Sequence, residues 1–241
     1  MRPISVLNVE GRLFFTVYQQ KLSTFMLRNN FIQQGVQKAF IESVPGCIEH
    51  TTLLAEAFRD AKERRRSICV AWLDLANAYG LMSHNLIQFA LDWYHVPARI
   101  RKLIWSYYEG LCARVRTAGW SSVLFLIAIG VPQGCTASTI NFDVGFQLIL
   151  DLHSALLVGK IGYKIAFTRI IVSKPTYADD VALVERTASH CQDSVAAFCI
   201  ALVWSRTMKL KVPKCRTLAF RVFNPTDDTH FQVPVYYLVG L

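Results

Sequence analysis

The chain has 241 residues and a formal net charge of +9, with 53% of its residues hydrophobic and 18% charged. That balance excludes a disordered tail, which needs low hydrophobicity and high net charge, and the length suits one large domain or two small ones. No apolar run reaches the roughly 18–20 residues that cross a bilayer: the longest, 123–131, stops at Pro132, and Met1-Arg2-Pro3 leads into Asn8, Glu10 and Arg12 instead of a leader's apolar stretch.

In chain order, Leu54, Ala57, Phe58 and Ala61 recur at helical spacing, so 51–65 is predicted as an amphipathic helix. Arg64, Arg65 and Arg66 stand at its end, where cations suit the helix dipole. Residues 67–75 (SICVAWLDL) then read as a strand that ends in a charge. Ser83 is positioned to cap a helix through about Tyr94, and Pro97 to open another with Ile100, Leu103, Ile104, Tyr107 and Leu111 as its stripe. A glycine-containing loop after Gly130 precedes a helix over about 138–157. Stretches 170–172 and 181–184 read as strands on either side of Tyr177-Ala178-Asp179-Asp180. Val195, Phe198, Cys199 and Leu202 return to helical spacing, and 217–241 to short strands. Mixed strands and helices without regular alternation predict an α+β fold.

The basic balance makes an acidic partner plausible, nucleic acid being the commonest, with a merely basic surface as the alternative. Seven cysteines without a CxxC pair argue against a disulfide framework or a zinc site, and for a reducing, intracellular setting, nuclear or cytoplasmic. The six histidines show no ligand spacing; His84 and His190 read as caps or surface residues. Three carboxylates stand out. Asp74 ends an otherwise apolar strand, and Asp179 and Asp180 are adjacent in a turn between two apolar strands. Adjacent aspartates repel each other, and bringing them near a third is costly unless a cation is bound. Aspartate is also a ready turn former, and on that pair alone this simpler account suffices.

Tyr177-Ala178-Asp179-Asp180 resembles the YxDD box of reverse transcriptases. Leu73-Asp74-Leu75-Ala76-Asn77-Ala78-Tyr79 resembles their upstream motif, an Asp followed five residues later by an aromatic, and Gly130-Val131-Pro132-Gln133-Gly134-Cys135 resembles the GVPQG motif between them. Order and spacing agree, with 56 residues from Asp74 to Gly130 and 49 more to Asp179. Weaker likenesses to non-LTR (LINE-like) retrotransposon enzymes run along most of the chain. Arg2-Pro3-Ile4 with Leu7-Asn8, and Gln37-Lys38-Ala39-Phe40-Ile41, are similar to fingers motifs; Ser83-His84 is similar to the end of the first aspartate box. Trp204 through Lys214-Cys215 resembles the segment after YxDD, and Tyr236-Tyr237-Leu238-Val239-Gly240 the start of a primer grip. The chain departs from the family at Asn77, often Lys, at Gly80, often Asp, and at Ala137-Ser138-Thr139, usually Leu-Ser-Pro.

The resemblance implies a palm with an antiparallel sheet and packed helices plus helical fingers, with the thumb absent. Residues 1–66 would be the first part of the fingers, 67–79 the palm strand with the first catalytic Asp, 80–129 fingers and palm helices, and 130–241 palm ending in a truncated primer-grip-like hairpin. It implies RNA-directed DNA synthesis with an RNA template, a DNA primer and dNTPs, within a larger polyprotein and without a membrane. A catalytically silent, nucleic-acid-binding remnant and an intron-maturase-type enzyme are the alternatives. Two Mg2+ ions, replaceable by Mn2+, would sit on Asp74 and Asp179, with Asp180 a weaker ligand or electrostatic support and the Leu75 carbonyl a further donor. Tyr79 would lie under the incoming sugar and reject a 2′-hydroxyl, or else be a core aromatic. Gln133 and Gly134 would floor the nucleotide site, or form a helix-entry loop, or both. Lys214 would serve the leaving pyrophosphate, or be a surface lysine. Lys38 is the nominee for gripping the triphosphate. Arg64 to Arg66 would touch phosphate or simply be a solvated helix end.

Overall fold

The apolar run at 67–75 becomes a strand paired on both edges, and it organises one of the two units into which the chain divides. The computed structural model describes residues 4–39, 46–157 and 162–220. In chain order these form α1 (Val9–Arg28), α2 (Cys47–Glu63), β1 (Ile68–Leu73), α3 (Ala78–Leu81), α4 (His84–Trp93), α5 (Ala98–Glu109), β2 (Cys112–Ala113), β3 (Phe125–Leu126) and α6 (Thr136–Leu156). There follow β4 (Tyr163–Lys164), β5 (Ile171–Val172), β6 (Thr176–Tyr177), β7 (Asp180–Glu185), α7 (Ala188–Trp204), a 3-10 turn (Val212–Lys214) and β8 (Arg216–Phe220). One unit joins residues 1–31 with 77–148, the other 32–76 with 149–241. The expected motifs Arg2-Pro3, Phe40-Ile41 and Tyr236-Tyr237-Leu238-Val239-Gly240, and the strands expected beyond 220, lie outside the described residues.

The second unit holds a four-stranded sheet in the order β6-β7-β1-β8, antiparallel at every pairing. Central β1 (ICVAWL) is apolar on both faces because a helix covers each. On one face Ile68, Val70, Ala182 and Val184 pack with Ala57 and Ala61 of α2, and Leu54 and Phe58 close over them. These four α2 residues are the stripe read from the sequence. On the other face α7 lies against β7 and β1. An apolar strand sandwiched this way shows no polar alternation, so its sequence reads as a continuous run.

Arg64 and Arg66 do more than end α2. Asp60, 8% exposed, accepts from Arg64 Nε (2.9 Å), Arg66 Nη1 (3.0 Å), the Tyr163 hydroxyl (2.6 Å) and the Ala166 amide (3.1 Å). Burial pushes its carboxyl up, but the bonds from Tyr163, Ala166 and the two arginines outweigh that and hold it below the usual carboxylate range. The expected solvated helix end is therefore a carboxylate clamp that ties α2 to the β4–β5 hairpin.

In the first unit, α1 was not marked by apolar periodicity. Phe15, Tyr18, Leu22 and Met26 are buried, yet Val9, Leu13, Phe14 and Val17 are exposed, so apolar residues circle the helix and blur its stripe. Its legible sign is Asn8, whose side chain accepts from the Gly11 amide at 2.9 Å as an N-cap. Helices α4 and α5 form where expected, although Ser83 caps α4 by position without a side-chain bond, and of the expected α5 stripe Ile104 is buried while Leu103 is exposed and Leu111 lies beyond the helix. His84 is not the expected cap or surface residue. It is buried, stacks on Tyr108 at 4.2 Å, and donates from Nε2 to the Gly130 carbonyl at 2.7 Å. A chain of bonds continues inward: Asn141 Nδ2 donates to the Tyr108 hydroxyl (2.9 Å), and the Tyr18 hydroxyl donates to Asn141 Oδ1 (2.6 Å). All seven cysteines are free thiols. Among the described residues no helix is long and apolar enough to cross a membrane.

Candidate active site

The β6–β7 hairpin closes on a two-residue turn. Tyr177 pairs with Asp180, leaving Ala178 and Asp179 at the tip, and Ala178 takes a positive φ of 54°. Such turns match the strands' twist only with a left-handed residue, which glycine normally supplies. The turn delivers Asp179 and Asp180 to one end of the sheet. The last pair between β1 and β7 is Leu73 with Val181, and the same register carried one residue further sets Asp74 opposite Asp180. Three carboxylates that are up to 106 residues apart in the sequence thus share one sheet end.

The segment after α7 completes this end. Lys211 donates its amide to the Asp74 carbonyl at 2.7 Å, Ala76 donates its own to the Lys209 carbonyl at 2.9 Å, and Leu75 bridges Leu210. Those two bonds use the residues flanking Leu75, so the Leu75 carbonyl takes no part in the pairing. The 3-10 turn then brings Lys214 Nζ to 3.7 Å from Asp74 Oδ2. With side-chain exposures of 57% and 34%, this pair contributes at most about 1 kcal/mol, and it separates easily. Among the described residues no three His, Cys, Asp or Glu side chains form a preassembled metal cage.

Asp74, Leu75, Asp179, Asp180 and Lys214 are therefore brought together within one unit. Lys38 is in the same unit, but its side chain is only 10% exposed and forms an ion pair with Glu49 of α2. Tyr79, Gln133 and Gly134 belong to the other unit, where they too are linked. Tyr79 accepts from the Val131 amide at 2.8 Å through its carbonyl, and its ring stacks on Phe142 at 4.6 Å. The Gln133 carbonyl accepts from the Ser5 amide at 2.6 Å. Gly134 has φ +104°, and a Cβ there would sit 2.5 Å from the Ser5 carbonyl oxygen, so the residue must be glycine. Gly130 is equally constrained: at φ +90°, a Cβ would lie 2.8 Å from the Gly80 carbonyl oxygen and 3.0 Å from its Cα. Gly130→Ala is expected to cost about 2–4 kcal/mol, from left-handed backbone plus overlap, measured by denaturant unfolding. The departures at positions 77 and 80 touch each other: a Cβ on Gly80 would meet Asn77 Nδ2 at 2.2 Å. Sequence reasoning assigned no role to Gln37 or His50, which lie buried beside the turn; their only signal was Gln37's place in a quoted motif.

A family model described as reverse transcriptase (RNA-dependent DNA polymerase) matches residues 1–237. The chain belongs to the reverse transcriptase family. Two curated relatives are retrotransposon Pol polyproteins, in line with the non-LTR likeness. It is 29% identical over 240 residues, 98% of its length, to a retrovirus-related Pol polyprotein from the type-2 retrotransposable element R2DM of Drosophila melanogaster. It is 25% identical over 218 residues, 90% of its length, to the Pol polyprotein of the type-1 element R2 of Nasonia vitripennis. The chain spans about a fifth of those relatives, 21% and 20% of their lengths. Among solved structures, apo telomerase from Candida tropicalis truncated from its C-terminal domain matches 90% of the chain and 42% of its own, with a TM-score of 0.62 at 10% identity. Telomerase from the same species with a telomeric RNA fragment matches 91% of the chain and 37% of its own, with a TM-score of 0.64 at 10% identity. The fold is thus the α+β palm-and-fingers fold of reverse transcriptases, as the motifs implied.

Proposed function

We propose that this reverse transcriptase chain performs RNA-templated DNA synthesis, joining a primer 3′-hydroxyl to the α-phosphate of a dNTP and releasing pyrophosphate. The observation that carries the reading is the convergence of Asp74, Asp179 and Asp180 at one end of the sheet. Like charges gathered at a partly open edge are stable in the presence of cations, and this donor set is all oxygen, which suits magnesium. Members of the family use divalent metal ions. Here Asp74 and Asp179 would hold two Mg2+ ions, with Mn2+ as a substitute and with Asp180 and the Leu75 carbonyl as further donors. Magnesium binds through one or two carboxylates plus substrate phosphates, so the residues fit without a preassembled cage. When bound, such ions stabilise the attacking and the leaving oxygen of an in-line displacement.

The chain's own side chains do the rest. Lys214, released from its loose pair with Asp74, offers charge and a proton to the leaving pyrophosphate. Gln133 and Gly134 shape the floor under the nucleotide. Lys38 would grip the triphosphate only after leaving Glu49. The excess positive charge holds RNA template and DNA primer through their phosphates. We assign residues 1–66 to the first part of the fingers, 67–79 to the palm strand, 80–129 to fingers and palm helices and 130–241 to the palm, within a larger polyprotein like those of the R2 relatives.

Primer extension by the purified chain on RNA and DNA templates, with and without magnesium, tests the reading. Magnesium-dependent extension on RNA supports it; retention of nucleic acid without extension favours a silent remnant. Tyr79, five residues beyond Asp74, is assigned the sugar-side position. Tyr79→Val is expected to raise ribonucleotide use relative to dNTP use by at least about tenfold, since roughly 1.4 kcal/mol of clash is tenfold in rate. Unchanged selectivity in an active variant would return Tyr79 to core packing against Phe142.

A further inference from the structure

Residues 36–39 run beside the outer edge of β6. Thr176 donates its amide to the Val36 carbonyl (2.8 Å), Lys38 donates its own to the Thr176 carbonyl (3.1 Å), and Gln37 bridges Thr176 in parallel. His50 of α2 reinforces the seam, with Nε2 2.8 Å from the Val36 carbonyl and 3.1 Å from that of Thr176. Both partners only accept, so Nε2 carries the proton.

This seam buries Gln37 completely, at 0% exposure, with its amide against the carboxylate-bearing turn. Gln37 Oε1 accepts from the Ala178 amide (2.9 Å) and the Ala39 amide (3.1 Å), while Nε2 donates to the Ala178 carbonyl (3.2 Å). A flipped amide would face two N–H groups with an NH2 and a carbonyl with an oxygen, so the three bonds fix its orientation. One side chain thus satisfies both backbone groups of Ala178. The hairpin ladder ends at the Tyr177–Asp180 pair, so it leaves those groups unused, and Ala178 is only 6% exposed. Without Gln37 they would be buried orphans on a residue already held at positive φ. The motif that supplies Lys38 therefore also supplies the support of the turn, 141 residues further on.

We infer that Gln37 is a positioning residue for the reaction: it holds Ala178 in its left-handed conformation and so aims Asp179 and Asp180. This rests on the polymerase reading above. It differs from a packing role, which any side chain of the same size would fill.

Three variants of the 241-residue chain test it: Gln37→Met, which keeps size and loses all three bonds; Gln37→Glu, which keeps the accepted bonds; and Gln37→Met with Ala178→Gly, in which glycine takes positive φ without strain. Amide hydrogen exchange at Ala178 reads the turn without any catalysis. In Gln37→Met it is expected to speed up at least tenfold, while amides of β1 keep their protection. In single-nucleotide incorporation, Gln37→Met is expected to lose about 10- to 100-fold in kcat, the scale set by a misplacement near 1 Å, with KM for dNTP changed less than threefold. Gln37→Glu should lose less, and Ala178→Gly should restore at least fivefold in the Gln37→Met background. Unchanged Ala178 exchange, or unchanged kcat, in folded Gln37→Met overturns the inference; if Gln37→Met does not fold, Gln37→Ala, which also loses all three bonds, supplies the same readings. A wild-type chain that incorporates nothing refutes the polymerase reading, and Ala178 exchange then still decides whether Gln37 holds the turn.

Discussion

Asp74→Asn and Asp179→Asn are each expected to lower magnesium-dependent nucleotide incorporation by roughly a thousandfold or more while the thermal midpoint stays the same or rises slightly. The two readouts diverge for one reason. A carboxylate that holds a metal stabilises developing charge by several kcal/mol, and each 1.4 kcal/mol is tenfold in rate. Asp74, Asp179 and Asp180 carry the same charge at one sheet end, so neutralising one need not cost the folded state stability. Losing the partly exposed pair between Asp74 and Lys214 costs little. Incorporation that persists within tenfold in either variant would remove these aspartates from the chemistry. A collapse of the midpoint would mean that they are structural.

A large expected stability effect lies elsewhere, at Asp60. Asp60→Ala is expected to cost about 2–4 kcal/mol, which for a domain of this size lowers the midpoint by roughly 5–15 °C. The substitution leaves two guanidiniums without their counter-ion and strips its acceptor from the hydroxyl of Tyr163, which is fully buried. The cost falls below the 3–5 kcal/mol typical of a deeply buried pair because Asp60 is covered yet shallow, and Arg64 and Arg66 keep 41% and 32% of their side-chain exposure. The folded-state pKa of Asp60 is depressed, so its contribution is fully present above the unfolded value near 3.8 and fades as pH falls through the folded one. Wild type and Asp60→Asn should therefore converge in stability on acidification. A gap that persists unchanged to pH 2 would show that the charge is not what matters.

The sequence made legible what is local or periodic. The stripe Leu54, Ala57, Phe58 and Ala61 announces α2, the run at 67–75 announces β1, and Asp179-Asp180 between two apolar runs announces the hairpin tip. The convergence of Asp74 with that tip was legible only through three motifs in order, since nothing in either segment alone indicates a shared sheet end. Asp60, His84 and Gln37 were not legible, because each is defined by a partner far along the chain: Tyr163, Gly130 and Ala178. A polar residue inside an apolar stretch announces that it needs a partner, not which one. The helix α1 was missed for the opposite reason, an excess of apolar residues around its circumference.

The place of β1 at the heart of its sheet also dictates when that sheet can assemble. Both of its neighbours, β7 and β8, arrive more than a hundred residues later. During synthesis this wholly apolar strand must therefore wait, with both hydrogen-bonding edges unsatisfied, until residues 180–220 have been made. Such long-range pairings fold slowly and leave sticky edges exposed to other chains in the meantime. Translation halted before residue 216 leaves β1 without β8, and halted before 180 without any strand partner among the described residues, so such incomplete products are aggregation hazards.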